Sequence, residues 1–139
     1  MKNQFFISII TLALIVSSCE YSITTAQIEN SRMCSSLTGE LCGANRSVFS
    51  TDEELIFISC NLNNAPDNTI VTFSWKYIGE VDTIIIDEVS VNSSEIGVNL
   101  NLSSNLSRPY NGWPKGNYEV EIIIEDSQRD PVLHKFEVR

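Results

Sequence analysis

Thr69-Ile70-Val71-Thr72-Phe73-Ser74-Trp75-Lys76-Tyr77-Ile78 alternates with a period of two: Val71, Phe73, Trp75 and Tyr77 fall on one face, and Thr72, Ser74 and Lys76 on the other. Successive side chains of a β-strand point to opposite faces of its sheet, so this stretch predicts a strand buried on one side. The pattern recurs to either side. Glu54–Leu62 groups Ile56, Ile58, Cys60 and Leu62; Glu95–Leu102 groups Ile96, Val98, Leu100 and Leu102, with Asn99 and Asn101 opposite. Asn117–Glu125 sets Tyr118, Val120, Ile122 and Ile124 against Glu119, Glu121 and Glu125, and Val132–Val138 groups His134, Phe136 and Val138. Asp82–Val91 reads as a further strand and Ser47–Ser50 as a short one, while Asn63–Asn68 (NNAPDN) is a cluster of residues that tolerate tight turns.

About seven strands, punctuated by turn signals and with no useful helical period among them, predict an all-β fold, an antiparallel β-sandwich. Burying one face of each strand hides roughly 20 large apolar side chains, at about 1.5–3 kcal/mol each before chain entropy is subtracted. Two features sharpen the expectation to an immunoglobulin-like sandwich. Trp75 lies mid-strand in the early part of the chain, and Gly116-Asn117-Tyr118-Glu119-Val120 has the form of a tyrosine corner, in which a Tyr entering a late strand bonds back to the main chain.

The N-terminus has a different character. Met1-Lys2-Asn3-Gln4 is short and positive, Phe5–Val16 is almost unbroken apolar sequence, and Val16-Ser17-Ser18-Cys19 follows. A charged start and an apolar run too short for a comfortable membrane span make a signal peptide over residues 1–18. An aliphatic residue, two small residues and Cys have the form of a bacterial lipobox. Cys19 is then the expected lipidation site, anchoring the chain to a membrane on its extracytoplasmic side. More than one acyl chain is needed for stable anchoring. Residues 19–32 are expected to be the lipidated N-terminus and a flexible tether reaching about 40 Å if extended, with a short strand possible near Ser22–Thr25. The sandwich domain is expected over residues 33–139.

With Cys19 assigned to lipid, three cysteines remain. Cys34 and Cys42 enclose the short loop Ser35–Leu41 and are expected to form a disulfide in an oxidising compartment. Cys60 sits on the apolar side of its strand and is expected to be a buried free thiol. A zinc site lacks C-x-x-C spacing, and His134 is the single histidine.

Beyond Cys19 the chain has eight basic and eighteen acidic side chains, a formal charge of −10. That balance repels phosphate backbones and anionic headgroups, so no nucleic acid is expected as a partner. No G-x-S-x-G, P-loop, H-E-x-x-H or dinucleotide fingerprint occurs. Neither catalysis nor a cofactor is expected. Four Asn-x-Ser triplets begin at Asn45, Asn92, Asn101 and Asn105 and follow from an Asn/Ser-rich composition. The acidic residues Glu119, Glu121, Glu125 and Asp126 read as a solvated strand face, since a Ca²⁺ site needs oxygens converging from several loops.

Val48-Phe49-Ser50, Asn64-Ala65-Pro66 with Thr69–Tyr77, and Arg108-Pro109-Tyr110-Asn111-Gly112-Trp113-Pro114-Lys115-Gly116-Asn117-Tyr118-Glu119-Val120-Glu121-Ile122 together resemble small bacterial envelope lipoproteins of uncharacterised role that carry one immunoglobulin-like domain. The resemblance spans about residues 45–138. It implies a fold and a location and no activity. The expected function is a lipid-anchored binding or structural module with an envelope protein as partner. The alternative is an inhibitor or accessory domain that presents the Cys34–Cys42 loop to an extracytoplasmic enzyme. Arg108, Tyr110 and Trp113 form a possible recognition loop. Trp113 has two readings, an exposed stacking residue or a plug folded beneath the tyrosine corner, and the second is preferred.

Overall fold

The two-residue alternation becomes ten strands in the computed structural model, which describes residues 24–95 and 100–139. They are β1 (Gln27–Cys34), β2 (Leu37–Thr38), β3 (Leu41–Cys42), β4 (Val48–Phe49), β5 (Leu55–Asn63), β6 (Ile70–Ile78), β7 (Thr83–Asn92), β8 (Leu100–Ser107), β9 (Gly116–Ile124) and β10 (Val132–Val138). One sheet has the order β1-β5-β8, a second β4-β10-β9-β6-β7, and β2-β3 form a small hairpin. Neighbouring strands are antiparallel, apart from the short parallel pair β4–β10. The fold is all-β and sandwich-like, as the alternation implied.

The core lies between the two main sheets. Ile56, Ile58, Cys60 and Leu62 of β5, with Leu100, Leu102 and Leu106 of β8, join Val71, Phe73 and Trp75 of β6, Val120, Ile122 and Ile124 of β9, and Phe136 and Val138 of β10 in one buried cluster. Trp75 is fully buried, and its indole N–H donates across the sandwich to Ser104 Oγ at 2.9 Å. A buried indole donor left unpaired costs about 1–3 kcal/mol, which is why a serine stands in an otherwise aliphatic row. Among the described residues every buried side-chain N or O has a partner.

Tyr118 organises the end of the sandwich. Its hydroxyl donates to the carbonyl of Pro114, four residues upstream, at 2.5 Å. Its ring stacks on Phe136 at 5.2 Å and meets Trp113 and Tyr77 edge-on. Burial, with the like-charging Tyr77 beside it, pushes the Tyr118 hydroxyl up to about 12. Gly116 enters β9 with φ +145°, and an added Cβ would lie 3.1 Å from the Tyr77 hydroxyl. The corner therefore demands glycine for both conformation and space.

Three boundaries differ from the sequence expectation. Gln27–Arg32 is not tether but part of β1, paired with β5. The register shifts between Glu29 and Arg32, and Asn30 has φ +52°. This irregularity breaks the two-residue period between Ile28 and buried Met33, so the strand is hidden from pattern reading. Thr24 and Thr25 are not in a strand, and the rest of the short strand expected there lies outside the described residues. β8 continues to Ser107, past the expected end at Leu102; Ser104 on its inward face interrupts the apolar row and hides the continuation from the alternation. The expected signal peptide over residues 1–18, Cys19, and Ile96 and Val98 lie outside the described residues.

Candidate functional site

β7 is the strand whose surroundings least match its composition. Thr83-Ile84-Ile85-Ile86-Asp87-Glu88-Val89-Ser90-Val91-Asn92 is rich in β-branched residues and forms a strand as expected. A tight turn folds it against β6: the Gly79 N–H donates to the Asp82 carbonyl at 2.9 Å, and a Cβ on Gly79 would stand 2.7 Å from that oxygen. The far end is pinned by Ser93, whose N–H donates to the Thr69 carbonyl at 2.8 Å and whose Oγ donates to the Pro66 carbonyl at 3.1 Å.

Between these ends β7 is exposed. Ile84, Ile85, Ile86 and Val89 keep 56%, 57%, 44% and 40% of their surface in solvent. Topology is the cause. The second sheet has five strands and the first has three, and β7 is the terminal strand of the wider one. Val89 pairs with Phe73 and Asp87 with Trp75, so both share the inward face of the sheet. They remain exposed because β7 extends beyond the cover of the narrower sheet. Glu88 and Ser90 face outward, where Ser74 Oγ donates to Glu88 at 3.1 Å and Thr72 bonds Ser90 at 2.8 Å. The register then shifts at Ile86, so that Ile85 pairs with Lys76 and Ile84 with Tyr77. The two faces of β7 thus each carry an aliphatic residue and a carboxylate.

The field around this strand is acidic. Between Gly79 and Glu95 lie Glu80, Asp82, Asp87, Glu88 and Glu95, with no Lys or Arg. The cation on the neighbouring strand, Lys76, is engaged: its Nζ lies 2.8 Å from Glu121 and 4.0 Å from Glu119. The hydrogen bond to Glu121 is the main cause that raises the Lys76 ammonium above its ordinary range. Glu119 and Glu121 are accordingly half-buried partners of Lys76, not a freely solvated face.

The loop of Arg108, Tyr110 and Trp113 divides. Trp113 is buried, at 5% exposure, and its indole N–H donates to the Glu53 carbonyl at 2.6 Å. It plugs the sandwich beside Tyr118 and is not a recognition residue, since its face and its donor are both occupied. The Arg108 guanidinium donates to the Asp52 carbonyl at 2.8 Å and its backbone N–H to the Glu54 carbonyl at 2.9 Å, so it closes the same end. Tyr110 alone is fully exposed.

Cys34 and Cys42 form a disulfide. The hairpin of β2 and β3 that it closes is held to the three-stranded sheet. The Cys42 N–H donates to Ser59 Oγ at 2.8 Å, and Asn101 Nδ2 donates to Glu40 at 3.1 Å. Asn101 also accepts from Asn61, which accepts from Asn30, so a ladder of amides crosses β1, β5 and β8 to the hairpin. Cys60 is free and fully buried, and burial pushes its thiol up to about 12. A thiol so far from its thiolate is a poor nucleophile at neutral pH. His134 bonds Ser31 Oγ at 2.7 Å on the irregular part of β1, and burial lowers its imidazole below the ordinary range. No protein-family model and no curated protein matches the chain.

The exposed residues of β7 escaped pattern reading because burial was inferred from composition. A signal was present. Asp87 and Glu88 are consecutive, which puts one carboxylate on each face, and a strand with one face in a core does not accept that.

Proposed function

We propose that the chain is a lipid-anchored, extracytoplasmic binding module built on an immunoglobulin-like sandwich, with an envelope protein as its partner. The observation that carries the binding reading is β7, a terminal strand that leaves four aliphatic side chains in water. A terminal strand with exposed aliphatic side chains on both faces is a ready surface for association, which native proteins otherwise cover or blunt.

Support for the immunoglobulin-like assignment comes from strand order and from the tyrosine corner. Numbering the long strands in chain order gives first-second-fifth in one sheet and seventh-sixth-third-fourth in the other, the order of immunoglobulin strands A-B-E and G-F-C-C′. Tyr118 bonding to Pro114, and Trp75 buried mid-strand, fit the same scheme. Support for the location comes from Phe5–Val16 with Val16-Ser17-Ser18-Cys19, and from the Cys34–Cys42 disulfide, a bond that persists in oxidising compartments. Acid-rich composition argues against nucleic acid.

Mass spectrometry of the mature chain tests the anchor. The expected N-terminal residue is Cys19 carrying a thioether-linked diacylglycerol. An unmodified thiol at Cys19, or a mature N-terminus elsewhere, would remove the lipid-anchored part of the reading. Cys19→Ser should in addition release the protein from membranes.

A further inference from the structure

We propose that β7 is a strand-addition edge whose partner is an extended segment of another protein, aliphatic along most of its length, with two adjacent cationic residues opposite Asp87 and Glu88. This inference rests on the binding-module reading and names the chemistry of its partner.

Three observations converge on it. Among the described residues the outer edge of β7 has no strand partner, and an unpaired edge offers a row of N–H and C=O groups to an incoming strand. Aliphatic side chains stand on both of its faces, Ile84 and Val89 on the inward side and Ile85 on the outward side. A strand added there gains apolar contact above and below the sheet. The charge then selects the strand. Asp87 and Glu88 present one carboxylate to each face, in a stretch from Gly79 to Glu95 that contains no cation of its own. Directly opposed residues share a face, and opposite charges stabilise such pairs while like charges destabilise them. Two neighbouring Lys or Arg residues on the incoming strand meet both carboxylates at once.

The same feature disfavours a second copy of the chain. A copy would bring Asp87 and Glu88, with Glu80 and Asp82 of the turn, to the seam from both sides. The register shift at Ile86 and the inward-facing Asp87 are also devices by which sheet edges resist indiscriminate pairing. Together they make an edge that repels acidic strands and favours a cationic one, so specificity comes from repulsion as well as attraction.

The test uses the full chain in mild detergent and a blocked eight-residue peptide with two central lysines, a pair of valines on each side and terminal threonines. A matched peptide carries glutamates in place of the lysines. Fluorescence anisotropy should show saturable binding of the lysine peptide, about tenfold or more weaker binding of the glutamate peptide, and weakening as salt is raised. Both carboxylates are exposed, so the double variant Asp87→Lys with Glu88→Lys should fold normally and invert the preference between the two peptides. Equal binding of both peptides, binding of neither, or a preference unchanged by charge reversal overturns the proposal. A stable dimer in sedimentation that Ile85→Lys dissolves would assign the edge to a second copy and likewise overturn it. A partner cross-linked from Tyr110, with neither peptide bound at β7, would leave the binding module standing and overturn the strand addition alone.

Discussion

β7 and β9 flank β6 in the same sheet, and each contains three consecutive isoleucines, Ile84-Ile85-Ile86 in one and Ile122-Ile123-Ile124 in the other. Their fates are opposite. Ile122 is 1% exposed and belongs to the core, while every one of the β7 isoleucines is open to solvent. Local propensity made a strand of both. Burial was decided by position, because β9 lies over the narrower sheet and β7 lies beyond it. Their interruptions differ to match: β9 spaces Glu119 and Glu121 so that both carboxylates face outward toward Lys76, whereas β7 places Asp87 and Glu88 side by side.

The most forceful way to break this comparison is to truncate the same residue in both strands. Ile122→Ala should cost about 2–5 kcal/mol, as expected for a cavity left in a packed core. Ile84→Ala should change stability by only about 0.5 kcal/mol. Urea unfolding of the two variants measures both, and equal costs would mean that β7 is packed in solution. Next in size is the covalent clamp at the other sheet. Replacing Cys34 and Cys42 together by serine should cost about 2–3 kcal/mol, because so short a loop restricts the unfolded chain only modestly. The hairpin should loosen while β7 remains unaffected.

Tyr118→Phe sharpens the β9 side. It keeps the stacked ring and removes one hydrogen bond, leaving the Pro114 carbonyl without that donor, and should cost about 0.5–1.5 kcal/mol. The smallest effect belongs to His134 on β10. Burial lowers its native pKa, so as pH falls through the ordinary value of roughly 6.5 the unfolded chain takes up the proton first. The stability it contributes is complete above that value and is lost on acidification toward the lowered native value. His134→Gln should flatten the slope of stability against pH in that window, with little change at neutral pH.

Most of the sandwich was legible. β5, β6, β9 and β10 keep a two-residue period on the side that meets the core, while the opposite side of β6 is also covered, with Thr72 and Ser74 buried against Ser90 and Glu88 of β7. β1 was not legible, because an irregularity at Asn30 shifts its side chains by one position. The last half of β8 was obscured for a chemical reason: Ser104 occupies an inward position to accept the Trp75 indole proton. Among candidate site residues, Cys34 and Cys42 were legible from loop length, and the folding-in of Trp113 from its place before the tyrosine corner. The exposure of β7 was not, since it depends on how many strands the opposite sheet contains. That number is a property of the whole chain and is absent from any window around Ile84.

Hydrogen exchange of β7 and β9 in the full chain, compared between detergent and membranes of the native host, tests the central claim most directly. In detergent the β9 amides should be strongly protected and the outer-edge amides of β7 weakly so. In native membranes, where the proposed partner would be available, the β7 amides should gain protection while β9 stays unchanged. Equal exchange of β7 in both settings, or protection of β7 matching β9 in the purified chain, would contradict the assignment of this strand as the binding edge.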